Sequence, residues 1–214
     1  FILQGVWNRM IKLAIFDLDG VLVDACEWHR IALNQALREI CNFEISLEDH
    51  YEIFNGLPTK EKLKILTKQK IVKKKDYDKI SQRKQEITLQ LIETHGTLDP
   101  TKVELIKALQ ESGVHVACFT NSIRQTAELM LRKCGILNLI ELLVTNEDVK
   151  KPKPSSEGYL KVIRHFKVPK KNVIIVEDSP KGMAAAQAAK CRVISVANAT
   201  GVTKGLFEGL GVFE

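Results

Sequence analysis

The sequence predicts an α/β fold, a Rossmann-like parallel sheet core interrupted by an inserted helical cap domain. Three observations carry that expectation. The apolar run Leu13-Ala14-Ile15-Phe16 lacks helical spacing and runs straight into Asp17-Leu18-Asp19-Gly20, as a buried parallel strand does when it delivers its last residues to a site. From Gly96 onward, short apolar runs alternate with amphipathic stretches of helical period. Between these two regions, residues 25–92 carry helical spacing alone.

The elements follow in order. After Asp24, residues Trp28, Ile31, Ala32, Gln35, Ala36, Leu37 and Ile40 recur on one helical face, predicting a helix over 26–40. Residues 47–54 read as helical, Asn55-Gly56-Leu57-Pro58-Thr59 as a turn, 60–68 as a helix and 77–94 as the last helix before the alternation starts. In the second part, a helix over 101–112 is ended by Gly113, and a strand over 114–119 ends in Thr120-Asn121-Ser122. A helix over 124–134 is ended by Gly135 and leads to a strand over 140–145. Lys151-Pro152-Lys153-Pro154 reads as a rigid extended loop. A helix over 156–166, a strand over 172–176 ending in Glu177-Asp178-Ser179, a helix over 183–190 and a strand over 192–196 complete the alternation. Residues 201–214 are glycine-rich with weak periodicity and carry no predicted chemistry. The resulting division is a sheet core of residues 10–24 and 93–214 and an inserted helical cap of residues 25–92, expected to act as a lid; a resemblance described below implies that the core is catalytic and that the cap governs substrate choice. Met10 stands just before the first strand, so residues 1–9 are read as a non-native remnant.

Composition narrows the function classes. A chain of 214 residues with 45% hydrophobic and 27% charged residues can bury a substantial core, and disorder is not expected. The net charge of +6 comes partly from lysine runs at 68–75 and 150–153; no aromatic residues interleave with them, so a nucleic-acid stacking surface is not expected. The five cysteines are scattered and form no Cys-x-x-Cys pair, which fits reduced thiols in the cytoplasm better than a disulfide frame or zinc site. No run approaches the roughly 18 apolar residues that span a bilayer. A small phosphorylated molecule suits such a basic surface, and no membrane partner is expected.

Four polar clusters fall at strand ends and should share one edge of the sheet: Asp17 with Asp19, Thr120 with Asn121, Lys151, and Glu177 with Asp178. Carboxylates at i and i+2 of an extended chain face one point and need a cation, and magnesium prefers such hard oxygen ligands. Asp17, ionised without a helper base, can attack phosphorus, and Asp19 can serve as acid and then as base. Thr120 and the Asn121 backbone amide would hold phosphoryl oxygens, Lys151 would offset negative charge, and Asp178 would complete the metal site with Glu177 as a direct or water-mediated partner. A calcium loop would need further oxygen ligands that Val21, Leu22 and Val23 do not supply.

Taken together, Asp-Leu-Asp-Gly-Val-Leu-Val-Asp at 17–24, Thr-Asn-Ser at 120–122, Lys-Pro-Lys-Pro at 151–154 and Val-Glu-Asp-Ser-Pro-Lys-Gly-Met-Ala-Ala-Ala at 176–186 resemble the four motifs of the haloacid dehalogenase superfamily. The subgroup most similar is that of the β-phosphoglucomutase-like phosphatases, which carry a helical cap. The resemblance implies a magnesium-dependent phosphoric monoester hydrolase with Asp17 as nucleophile, Asp19 as acid/base and metal ligand through its carbonyl, Thr120 and Asn121 on phosphate, Lys151 as the motif lysine and Asp178 on the metal. It also implies that His29 can approach the site, and that Thr59 and Lys60 lie in a cap loop where sugar-phosphate mutases tend to carry arginine. Arg83 and Lys84 are further candidates on the last cap helix. Lys190 stands where relatives commonly have glycine. The alternatives are a phosphomutase using the same chemistry, a phospho-signalling receiver, and a non-catalytic binding protein; the insertion at 25–92 and the presence of Asp19 oppose the receiver.

Overall fold

The computed structural model describes residues 11–210, 212 and 213, so the expectation about residues 1–9 lies outside the described residues. The chain forms two compact units, one of residues up to Asp24 together with Thr97 onward, the other of Ala25–Gly96. Among the described residues no helix is long and apolar enough to cross a membrane.

The first unit is built on five parallel strands: β1 (Leu13–Phe16), β2 (His115–Phe119), β3 (Leu142–Val144), β4 (Val173–Glu177) and β5 (Arg192–Ser195), in the spatial order β3-β2-β1-β4-β5. The most apolar strand, β1, is therefore central, and the chain reverses its direction across the sheet between β1 and β4. That reversal opens the crevice at the carboxyl ends of the strands where ligands bind in such folds. Phe16 is level with Cys118 of β2 and Val176 of β4. Asp17 still donates its N–H to Val176 O, so it stands beside Glu177.

Alternation then decides which side chains meet. Leu13, Ile15, Ala117, Phe119, Val173 and Ile175 form one core with residues of two helices introduced below, and Asp17 and Glu177 follow in the same parity. The helices are, in chain order, α1 (Cys26–Cys41), α2 (Leu47–Asp49), α3 (Thr59–Lys68) and α4 (Tyr77–His95) in the second unit, then α5 (Pro100–Glu111), α6 (Arg124–Lys133), α7 (Glu157–Phe166), α8 (Pro180–Ala189) and α9 (Lys204–Glu208). Tyr159, Val162 and Ile163 of α7 and Ala185, Ala186 and Ala189 of α8 cover the face that Asp17 and Glu177 share. The opposite face carries Phe16, whose ring lies 5.8 Å from Phe207 of α9.

Helix ends follow local chemistry. Asp99 caps α5 by accepting from the N–H groups of Thr101 and Lys102, with Pro100 in the first turn. Ser179 caps α8 in the same way, accepting from Gly182, with Pro180 in the first turn. Helix α8 thus begins three residues before the predicted Met183, because Ser-Pro is itself the start signal. Gly113 and Gly135 end their helices with φ of +74° and +79°, as predicted. The glycine-rich tail is better anchored than its weak periodicity suggests. The ammonium of Lys102, 2% exposed, donates to Ala199 O (2.7 Å) and Val202 O (2.9 Å) and ties the segment before α9 to α5.

In the second unit α1 packs along α4, and Ala32, Leu33, Ala36, Leu37, Phe54, Leu63, Leu66, Ile80 and Ile87 form its core. The predicted helix over 47–54 is a short α2 that widens into a π turn at His50–Phe54. Asn34, buried on α1, receives the Ile45 N–H (3.0 Å) and donates to Ile45 O (2.9 Å), fixing the chain between α1 and α2.

Helix α8 ends at Lys190, whose φ is +60°. A side chain there carries the left-handed penalty that glycine escapes. Lys190→Gly should therefore stabilise the protein by about 1 kcal/mol, read as a higher denaturant midpoint with an unchanged slope.

Candidate active site

The strand ends assemble one buried cluster around a lysine that the sequence reading did not choose. Lys153, 3% exposed, places its ammonium 2.8 Å from Asp17 Oδ1 and 2.7 Å from Glu177 Oε1. Lys151 is exposed; its backbone N–H donates to Glu157 Oε2 (3.0 Å) and its side chain takes no part in the cluster. The expectation for Lys151 is therefore corrected to Lys153. Its physical reason lies in the loop, which turns at Lys153–Pro154 instead of staying extended, with the Ser155 N–H donating to Pro152 O.

Asn121 fixes that turn. Its side chain receives the Lys153 N–H (2.9 Å) and donates to Lys153 O (3.2 Å), so a residue predicted only through its backbone amide also clamps the lysine's backbone. The ammonium then lies 5.0 Å from the ring centre of Phe119 and 5.3 Å from that of Tyr159. It sits between two carboxylates and two aromatic rings. Burial works against its charge, but Asp17 and Glu177 outweigh burial and hold the Lys153 pKa above its ordinary value.

Asp17 Oδ1 also accepts the Leu18 N–H at 2.7 Å, so both donors to this carboxylate among the described residues fall on one oxygen. One oxygen from each of Asp17, Glu177 and Asp178 lies within 4.8 Å of the others. Glu177 Oε2 and Asp178 Oδ1 are buried without a hydrogen-bond partner. Buried carboxylate oxygens left in this way fit a hard divalent cation such as magnesium, and these three residues could coordinate one. Asp19 differs from the expectation that its carboxylate would face the same point as that of Asp17. The strand ends at Phe16 and the chain bends at Leu18, so Asp19 Oδ2 instead accepts from Ser122 Oγ (2.9 Å) and Thr120 Oγ1 (3.3 Å). Ser122 returns its N–H to Thr120 Oγ1 at 2.9 Å. The two aspartates are thus held by different elements, Asp17 by Lys153 and the Leu18 N–H and Asp19 by the loop after β2.

The electrostatics follow from this crowding. Burial first, then the neighbouring Glu177, raises the Asp178 pKa to about 7. Burial and Glu177 likewise raise that of Asp17, against the opposing pull of Lys153. Crowding by like charges in a buried place thus opposes ionisation of Asp178 near neutrality.

The remaining sequence candidates belong to the helical unit. His29 and Lys84 pair with each other, with Lys84 Nζ 3.0 Å from His29 Nδ1. An ammonium only donates, so Nδ1 is the acceptor in this hydrogen bond. Arg83 is held by Glu39 (2.7 Å) and Glu86 (3.2 Å), and Thr59 and Lys60 open α3. The sequence reading missed Lys153, Ser122 and Tyr159. Two lysines in a Lys-Pro-Lys-Pro repeat point the same way in an extended chain, and only the turn at Lys153–Pro154 separates them.

A family model for haloacid dehalogenase-like hydrolases matches residues 14–196, which includes every residue of this cluster. The chain belongs to the haloacid dehalogenase-like hydrolase family. Within that family it is 29% identical over 181 residues to a validoxylamine A 7'-phosphate phosphatase of Streptomyces hygroscopicus, covering 84% of this chain and 83% of the relative. It is 25% identical over 207 residues to a phosphorylated carbohydrates phosphatase of Thermotoga maritima, covering 95% and 91%. Among solved structures it is similar to CbbY from Rhodobacter sphaeroides in complex with phosphate, with a TM-score of 0.77, 25% identity and coverage of 87% and 86%.

Two measurements check this geometry. Lys153→Met should destabilise the protein by about 3 kcal/mol, because it strips a buried partner from two carboxylates, while Lys151→Met should change stability by less than about 0.5 kcal/mol. Chemical denaturation of both variants decides the register of the repeat. The pH dependence of cation binding follows from Asp178, whose proton must leave before its oxygen can bind metal. Magnesium affinity, measured by calorimetry, should fall at least about tenfold per pH unit below pH 7 and level off above pH 8. A flat profile between pH 6 and 8 would contradict the raised Asp178 value.

Proposed function

We propose that this hydrolase is a magnesium-dependent phosphatase of small phosphorylated metabolites, acting through an aspartyl phosphate at Asp17. The reading rests above all on the state of Asp17: one oxygen is bound by the Lys153 ammonium and the Leu18 N–H, and Glu177 and Asp178 each bring a carboxylate oxygen within 4.8 Å of an oxygen of Asp17. That is how a nucleophilic carboxylate is held in position. Magnesium bound by Asp17, Asp178 and Glu177, with the Asp19 carbonyl, would supply the positive charge that lets a carboxylate and a phosphate approach each other.

The chemistry assigned to the side chains then balances. Asp17 Oδ2 forms a bond to phosphorus as the ester P–O bond breaks, and Asp19 gives a proton to the leaving alcohol oxygen. Asp19, now a base, takes a proton from water as the water oxygen bonds to phosphorus. The bond from phosphorus to Asp17 breaks, and inorganic phosphate leaves. For this Asp19 must let go of Ser122 and Thr120, whose hydroxyls and the Asn121 backbone amide would then face phosphoryl oxygens. Lys153 balances charge on Asp17 and the transferred group throughout.

The names of the relatives support the substrate class, since one is a phosphatase of phosphorylated carbohydrates, another a phosphatase of validoxylamine A 7'-phosphate, and a third was solved with phosphate. We assign the chain to the subgroup similar to β-phosphoglucomutase-like phosphatases, residues 25–92 to substrate choice, and the cytoplasm as its site of action. His29, Lys84, Thr59 and Lys60 are the residues proposed to set that choice. The test is a panel of sugar phosphates, nucleotides and phosphoglycolate incubated with magnesium, read as release of inorganic phosphate. At least one should be hydrolysed, with Asp17→Asn reducing the rate by about 10³-fold or more and Lys153→Met by about 10²-fold. Transfer of phosphate within a sugar phosphate without release would make the protein a phosphomutase. Activity that survives Asp17→Asn would overturn the mechanism.

A further inference from the structure

We propose that Tyr159 is a positioning residue that fixes Glu177 for cation binding, an inference that rests on the magnesium-dependent reading above. Glu177 is fully buried at the end of β4, and its two oxygens live in different surroundings. Oε1 accepts from Lys153 Nζ and from the Tyr159 hydroxyl. Oε2 has no hydrogen-bond partner, and Glu177 is one of the three carboxylates that approach within 4.8 Å. A carboxylate that has both donors on one oxygen cannot rotate without breaking them, so the second oxygen is presented in a constant direction.

The hydroxyl is held in place by the packing around its ring. The Tyr159 ring stands edge-on to Phe119 at 4.9 Å and 90°. Phe119 in turn lies so close to Gly158 that a Cβ there would come within 2.2 Å of the ring, which holds the start of α7 tightly against β2. From the other side Gly182, in the first turn of α8, leaves room for the Glu177 carboxylate: a Cβ at this position would lie 1.9 Å from Oε2. Glu177 is therefore confined by α7, α8 and Lys153. Of these, only the Tyr159 hydroxyl touches the carboxylate without itself carrying charge or contacting Asp17. A phenylalanine here would fill the same space and keep the ring contacts to Phe119 and Lys153, so the hydroxyl is the part that packing alone does not require.

The experiment compares wild type with Tyr159→Phe by titrating magnesium into each at pH 8 by calorimetry, with thermal unfolding as the control for folding. Tyr159→Phe should bind magnesium about tenfold more weakly. In turnover it should need correspondingly more magnesium for half-maximal rate while regaining most of the wild-type rate at saturation. Equal affinity within twofold in a folded variant, or a lowered rate that saturating magnesium does not restore, overturns the role. Should Tyr159→Phe fail to fold, wild type labelled with 3-fluorotyrosine gives the same information by fluorine NMR. Its Tyr159 resonance, identified by elimination with Tyr51→Phe and Tyr77→Phe, should shift on magnesium binding, and an unmoved resonance overturns the proposal. Wild type that binds no magnesium at all would instead defeat the functional reading itself.

Discussion

The ammonium of Lys153 lies between Asp17 and Glu177 in a space nearly closed to water, and the rest of the site depends on it. With three carboxylates within 4.8 Å, each like-charged pair repels by on the order of 3 kcal/mol at an effective dielectric of about 20, and each lysine contact returns roughly 6 kcal/mol. One lysine therefore about cancels the mutual repulsion. It leaves the desolvation of the carboxylates uncompensated, which is why the Asp178 pKa stays near 7 and why the cluster favours a divalent cation.

The fold exists to bring that lysine to that point. Central β1 and its neighbour β4 set Asp17 and Glu177 side by side by register, and strand alternation turns both toward α7 and α8. Lys153 arrives from the loop before α7, held by the Asn121 side chain from the end of β2. Three strand ends and one loop thus converge through backbone pairing, with the side chains following. The helical unit repeats the device on another scale, where a buried asparagine, Asn34, pins the chain at Ile45 with two hydrogen bonds.

Much of this was legible in the sequence because it is governed by short-range rules. The apolar strands, the glycines at 113 and 135 that end helices, and the polar clusters at strand ends all follow from local chemistry. What the sequence obscured depends on contacts between distant residues. Lys151 and Lys153 are equivalent until the turn at Lys153–Pro154 and the Asn121 clamp choose between them. Asp19 belongs to a predicted pair with Asp17, yet its carboxylate is engaged by Ser122 and Thr120. Lys102 shares the buried face of α5 with Leu105, Ile106 and Leu109, and its ammonium finds its acceptors in two backbone carbonyls from the far end of the chain, a pairing that no local rule announces. Tyr159 resembles any core aromatic until its hydroxyl is seen on Glu177.

The central claim is that Asp17, oriented by Lys153, takes the phosphoryl group before water does. Hydrolysis of a thiophosphate monoester made chiral at phosphorus with oxygen isotopes tests it most directly, because each in-line displacement inverts the phosphorus centre. Two successive displacements, through Asp17 and then water, predict net retention in the released thiophosphate. Net inversion would mean that water attacks the ester directly, and would contradict the account.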